Sequence, residues 1–176
     1  MDKISVVVPC YNEEEALPVY YKEMCRVMDE MKDVVFELIF VDDGSSDATL
    51  GIMKDLNEKD SRCRYLSFSR NFGKEAAIYA GLKASEGDYV ALMDVDLQDP
   101  PTLLPEMYEI LQEDGYDNVA TKKGHKNRRA TYPFFPVRKL LQICQCYFKD
   151  RDCRWSERLP ADEAEDGAGS SGNERV

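Results

Sequence analysis

Short β-branched runs alternate with amphipathic stretches along the first 120 or so residues, and three of those runs end directly in a polar, acidic cluster. Ile4–Pro9 reads Ile-Ser-Val-Val-Val-Pro and Val34–Val41 reads Val-Val-Phe-Glu-Leu-Ile-Phe-Val. Tyr89–Met93 reads Tyr-Val-Ala-Leu-Met, and a weaker run covers Cys63–Ser67. Such near-continuous apolar runs are the mark of strands buried on both faces. Between them, Leu17–Met31, a segment from Ser46 or Asp47 to about Asn57, Gly73–Ala84 and Leu103–Glu113 carry helical patterns. Ser46 or Asp47 is expected to cap the second helix. A further strand is expected to begin at Asn118-Val119-Ala120. Strands alternating with helices require right-handed crossovers, hence an α/β fold with a mostly parallel sheet flanked by helices. Ligands of such sheets bind beyond the carboxyl ends of the strands. The clusters Tyr11–Glu13, Asp42–Asp47 and Asp94–Asp99 are therefore expected to converge on one edge.

Composition narrows the partners. A formal net charge of -11 argues against general nucleic-acid binding, which relies on a positive footprint. It leaves open a phosphate-bearing ligand held through backbone amides or a metal. The six cysteines form no Cys-x-x-Cys pair and His125 is the single histidine, so a structural zinc site is not expected. The thiols are expected to be free, in a reducing, cytoplasmic setting. No signal peptide is expected at the N-terminus, and no stretch approaches the roughly 18 apolar residues of a membrane span.

Four clusters are candidates for chemistry, and each has a bland counterpart. Asp94 and Asp96 alternate on an extended segment, so both carboxylates can face one hard divalent cation, Mg2+ or Mn2+, with Gln98 and Asp99 near enough to assist. A cation there would offset charge on a departing diphosphate; the bland reading is a loop that caps the following helix. In Val41–Asp47 the carboxylates can accept from a ribose or a base, with Gly44 making the turn; the bland reading is a capped strand-to-helix turn. In Pro9–Glu14, Tyr11 can pack on a base that Asn12 or Glu13 hydrogen-bonds; the bland reading is an ordinary turn over a core Cys10. In Ser69–Glu75, Arg70 and Lys74 can meet a phosphate; the bland reading is surface salt bridging.

The strings SVVVPCYNEE (Ser5–Glu14), FVDDGSSDAT (Phe40–Thr49), SRNFGKEAA (Ser69–Ala77) and MDVDLQDPP (Met93–Pro101), in this order and spacing, resemble the family 2 glycosyltransferases of GT-A fold. The likeness is greatest to the polyprenyl-phosphate glycosyltransferases, the group of dolichyl-phosphate mannose synthase and the bactoprenol glucosyltransferases. It runs over about residues 3–121. The resemblance implies that Pro9, Tyr11, Glu13 and Asp42 line a nucleotide pocket, uridine favoured over guanosine, and that Asp94 contacts the nucleotide side. It implies that Asp96 and Gln98 hold the metal, and that Arg70 and Lys74 face the phosphorylated lipid. The implied reaction is an inverting, metal-assisted hexosyl transfer from a nucleotide sugar to a polyprenyl phosphate. It implies action at the cytoplasmic face of a membrane for the full-length family, with homo-oligomers a possibility. A nucleotidyltransferase would open with a Gly-rich phosphate loop and a dehydrogenase with GxGxxG; this chain has neither.

Beyond residue 121 the character changes. From Thr121 to Lys149 there are eight Lys or Arg and no Asp or Glu, and from Arg151 to Val176 the chain is acidic and rich in Gly and Ser. The expected division is a nucleotide-sugar-binding core at 1–121, a basic segment at 122–150 with a short helix near Val137–Phe148, and a disordered tail at 151–176. His125–Phe148 keeps only the composition of the family's continuation, which carries acceptor-side residues and, in membrane-anchored members, two C-terminal transmembrane helices. One encoding of Ser156–Asp166, read one base later, gives Ala-Arg-Asp-Tyr-Arg-Leu-Met-Lys-Arg-Lys, similar to a family segment that nothing else here matches. A frameshift between about residues 122 and 135 is therefore expected, and with it a chain that binds nucleotide sugar without turning over.

Overall fold

The computed structural model describes residues 1–97, 100–112, Val119 and the backbone of 134–136. Its strands are β1 (Asp2–Cys10), β2 (Val34–Asp42), β3 (Cys63–Ser67), β4 (Tyr89–Leu92) and β5 (Phe134–Pro136). Its helices are α1 (Ala16–Glu30), α2 (Thr49–Lys59), α3 (Lys74–Ala84) and α4 (Leu104–Gln112), the last entered through a single 3-10 turn at Pro101–Leu103. The sheet order is β3-β2-β1-β4-β5. The first four strands are parallel and β5 runs antiparallel along β4.

The period of two in each strand divides the core between the two faces of the sheet. Ile4, Val6 and Val8 of β1 and Phe36, Leu38 and Phe40 of β2 pack with Leu17, Tyr20 and Met24 of α1, Met53 of α2 and Leu104 of α4. Val7, Ile39 and Val41 face the other way, onto Ala77, Ala80 and Leu82 of α3. Each fully buried Val, Leu or Ile side chain contributes about 1.5–3 kcal/mol. Gly81 lets α3 approach β1 closely, because a Cβ there would collide with the side chain of Val7. The edge of the sheet away from the strand carboxyl ends is pinned by buried Glu37. Its carboxylate accepts from the hydroxyl of Ser5 and from Glu86 N–H at 2.7 Å, and pairs with Lys3 at 2.8 Å. Burial pushes this carboxyl up, but the hydrogen bonds from Lys3, Ser5 and Glu86 outweigh it and hold it below its ordinary value.

Two features differ in detail from the sequence expectation. The second helix starts at Thr49 with Ala48 at its N-cap position and no side-chain cap there. The acidic side chains act one step away: Asp47 accepts from Thr49 N–H at 3.0 Å, and Glu14, from the preceding loop, accepts from Ala48 N–H at 2.8 Å. The strand beside β4 is formed by Phe134–Pro136, from the basic segment. Of the strand expected at 118–120, only Val119 is among the described residues; it makes a bridge and packs on the core. Pro136, which has no N–H to give, ends its strand opposite Tyr89. The expected helix near Val137–Phe148, the tail at 151–176 and the proposed frameshift region lie outside the described residues, β5 excepted.

Candidate functional site at the carboxyl edge of the sheet

The strand register brings the loops together. Cys10 pairs with Asp42 and Asp42 with Ser67, so the carboxyl ends of β1, β2 and β3 are level. The ladder continues one step past the strands through Asp43 N–H to Cys10 C=O at 2.9 Å and Met93 N–H to Val7 C=O at 3.0 Å. Chain order reverses between β1 and β4: β1 leads outward to β2 and β3, and the connection through α3 returns to β4. An open cleft of about 330 Å³ lies at that reversal, where ligands of such sheets bind. Its walls are Pro9 and Cys10 at the end of β1, Tyr11 and Glu13 after it, Asp43 after β2, Asn71 and Gly73 before α3, Lys74 and Ala77 within α3, and Asp94, Val95 and Asp96 after β4.

Two loops are interlocked on one side of the cleft. Asn12, held at a φ of 56°, donates its N–H to Ser45 Oγ at 2.9 Å and accepts from Ser46 N–H at 2.8 Å through Oδ1. Glu13 N–H donates to Thr49 Oγ1 at 2.8 Å and Glu14 N–H to Asp47 at 3.2 Å. Asn12 thus serves the loop. Tyr11 stands half exposed at the rim, and Glu13 faces the cleft.

The adjacent acids Asp42 and Asp43 divide by strand parity. Asp42 follows Phe36, Leu38 and Phe40 on the α1 face and is buried. It accepts from Ser45 N–H and from the Ser67 hydroxyl, both at 3.0 Å, and does not line the cleft. Asp43 falls on the α3 face, lines the cleft and accepts from Phe72 N–H at 2.7 Å and Gly73 N–H at 2.9 Å. Its double acceptance sets the chain for α3, which enters through Gly73 at a φ of 100°. Strand alternation was the signal that separates Asp43 from Asp42; Asn71, Gly73 and Ala77 gave none that singles them out as walls.

Beyond β4, Val95 is buried in the core while Asp94 and Asp96 flank it on the cleft side. Leu97 follows at a φ of 56°, a conformation that costs a β- or γ-branched side chain about 1–2 kcal/mol. Lys74, in the first turn of α3, reaches Asp94 Oδ1 at 2.6 Å. Arg70 lies outside the cleft lining, its guanidinium 4.8 Å from the centre of the Phe72 ring. Gln98 and Asp99 are outside the described residues.

The cleft carries excess negative charge. Burial pushes the Glu13 carboxyl up, and the charges of Asp96, Asp47 and Asp94 push it further, against the opposing pull of Lys74. Burial, then Glu13, Asp42 and Asp94, push the Cys10 thiol well above its ordinary value. Cys10 donates to Val8 C=O at 3.4 Å and is therefore an inert floor rather than a nucleophile. Cys10, Cys25 and Cys63 are free thiols.

A divalent cation is the group this charge suits. Among the described residues no three His, Cys, Asp or Glu side chains are grouped to cage a metal ion. A cation carried in with a nucleotide needs no cage, because one or two carboxylates and the phosphate oxygens complete its shell. Asp96, exposed on the cleft wall and opposing the ionisation of Glu13, fits that requirement.

Fold and cleft define an α/β domain of the GT-A type, with its acidic site at the point where strand order reverses. The chain belongs to glycosyl transferase family 2, which it matches over residues 5–156. It is 46% identical over 125 residues to a bactoprenol glucosyl transferase of Shigella phage SfX, a match covering 71% of this chain and 40% of that protein. It is 37% identical over 127 residues to the undecaprenyl-phosphate 4-deoxy-4-formamido-L-arabinose transferase of Proteus mirabilis, covering 72% and 38%. The chain therefore spans about 40% of the length of the curated relatives it matches. A mannosyltransferase from Pyrobaculum calidifontis, solved in complex with GDP-Man and Mn2+, shares the fold at a TM-score of 0.65 and 20% identity, covering 81% of this chain and 46% of that one. Among the described residues, no helix is long and apolar enough to cross a membrane.

Proposed function

We propose that the cleft takes the nucleoside diphosphate of a sugar donor, UDP favoured, and that the chain carries the donor side of an inverting hexosyltransferase acting on polyprenyl phosphate. The observation that carries this reading is the meeting of Glu13, Asp94, Asp96 and Lys74 in one cleft between the carboxyl ends of β1 and β4. The names of the polyprenyl-phosphate relatives support the acceptor.

In this reading Tyr11 stacks on the base, and Pro9 and Glu13 shape its pocket. Asp42 acts from below: by holding Ser45 and Ser67 it keeps the β2 loop in place under the nucleoside. Asp96 and, by family resemblance, Gln98 would hold Mg2+ or Mn2+, which supplies neutralisation of charge on the leaving diphosphate. Asp94 stands beside Asp96 on the nucleotide side, next to the cation, and Lys74, paired with Asp94 at 2.6 Å, meets the diphosphate. Arg70, outside the cleft lining, is assigned to the acceptor phosphate by family resemblance. An acceptor phosphate oxygen attacks the anomeric carbon as the bond from that carbon to the β-phosphate oxygen breaks. The lipid phosphate is already anionic at neutral pH, so no strong base is needed and catalysis rests on positioning and charge neutralisation.

The test is transfer itself. The purified chain is given radiolabelled UDP-glucose, Mn2+ and undecaprenyl phosphate in detergent, with GDP-mannose as the competing donor. Labelled lipid and released UDP are the products that the transfer reading requires. Donor binding without either product would leave the chain as a donor-binding unit only, the second reading that the changed character of residues 122–176 favours. Failure to bind either donor would sink both.

A further inference from the structure

Lys74 is the one basic residue among the described residues that line the cleft, and it faces Glu13, Asp94 and Asp96. Its ammonium sits 2.6 Å from Asp94 Oδ1. The root of the side chain is fixed, because Asp43 takes both the Phe72 and Gly73 N–H groups immediately before it. The tip is not: the Lys74 side chain is 57% exposed, against 25% for Asp94. An ion pair that open to water is weak and easily exchanged. A lysine head is a compact charge on a flexible stem, suited to moving between anions a few ångströms apart.

We propose that Lys74 is a resident counter-cation that occupies Asp94 while the cleft is empty and passes to the diphosphate when a metal-bearing nucleotide enters. The inference rests on the donor-site reading above and adds a coupling to it. A divalent cation arriving alone meets an ammonium already paired with one of the acids it needs, and binds poorly. A diphosphate arriving with the cation offers Lys74 another anion, which frees Asp94. Metal and nucleotide then bind cooperatively, and by reciprocity each strengthens the other by the same factor. Lys74 thereby keeps the cleft from filling with metal before the donor arrives and contacts the diphosphate once it has.

The test uses the full chain and follows free Mn2+ by electron paramagnetic resonance, with and without UDP, in wild type, Lys74→Met and Lys74→Arg. Circular dichroism confirms that each is folded. Lys74→Met is expected to bind Mn2+ alone about 5-fold tighter, the reverse of losing a ligand, because a weak competing ion pair is gone. It is expected to bind Mn2+ with UDP about 10-fold more weakly, because a charge-assisted contact to phosphate is lost. Lys74→Arg is expected to keep the wild-type pattern. A purely structural lysine would move both affinities the same way or neither. Unchanged or weaker binding of Mn2+ alone in Lys74→Met, with wild type binding Mn2+ and UDP together, overturns this role and leaves the donor site standing. A folded wild type that binds neither Mn2+ nor Mn2+ with UDP overturns the donor-site reading and this role with it.

Discussion

At the scale of the residue, the cleft depends on positions where only one side chain fits. Gly44 turns the β2 loop at a φ of 72°, and a Cβ there would run into the backbone of Arg70 and Asn71. Gly44→Ala therefore combines a left-handed conformation with overpacking, and urea denaturation should show a loss of about 2–4 kcal/mol. Gly51, in the exposed face of α2, has nothing within 4 Å of a built Cβ. Gly51→Ala should stabilise by about 0.5–1 kcal/mol. Opposite signs from the same substitution would confirm that the β2 turn, not glycine content, is what the fold needs. Three of the four polar clusters were legible in the sequence because each directly follows an apolar run. Less legible was which member of a cluster works at the cleft. Asp42 and Asp43 are identical in chemistry, and only the parity of the strand separates a buried brace from a cleft wall. Lys74 and Asp94 are far apart along the chain and meet only because α3 returns to a strand on the other side of β1.

At the scale of the element, the strand and helix order was legible throughout residues 1–112. Parallel strands covered on both faces read as unbroken apolar runs, and the amphipathic stretches between them have no other period to follow. β5 was not legible: Phe134–Pro136 is three residues long, has no period to read and ends in proline. The joins between elements carry their own chemistry. Asp60 ends α2 and ties it to α1 and β3, accepting from Tyr21 at 2.8 Å and from Arg62 at 2.7 Å. Hydrogen bonds from Arg62, against some burial, hold the Asp60 carboxyl down to about 2. A carboxyl depressed in the folded state contributes stability that is complete above the unfolded value, about 4, and is lost as pH falls through about 2. Wild type should therefore lose more stability than Asp60→Asn between pH 4 and pH 2 in chemical denaturation. Parallel pH profiles for the two proteins would show that this join does not hold the fold through its charge.

At the scale of the molecule, the level carboxyl ends of β1, β2 and β3 and the segment after β4 bring separate loops to one acidic cleft, the setting on which the proposed donor site rests. The proposed function makes this cleft a donor diphosphate site completed by a divalent cation at Asp96. The decisive experiment is calorimetric titration of the full chain with UDP, with and without Mn2+, and again in Asp96→Ala. UDP binding should need Mn2+ and be lost in a folded Asp96→Ala protein, and the melting temperature of wild type alone should rise when both ligands are present. UDP binding of equal strength with and without Mn2+, or binding that survives in Asp96→Ala, would contradict it.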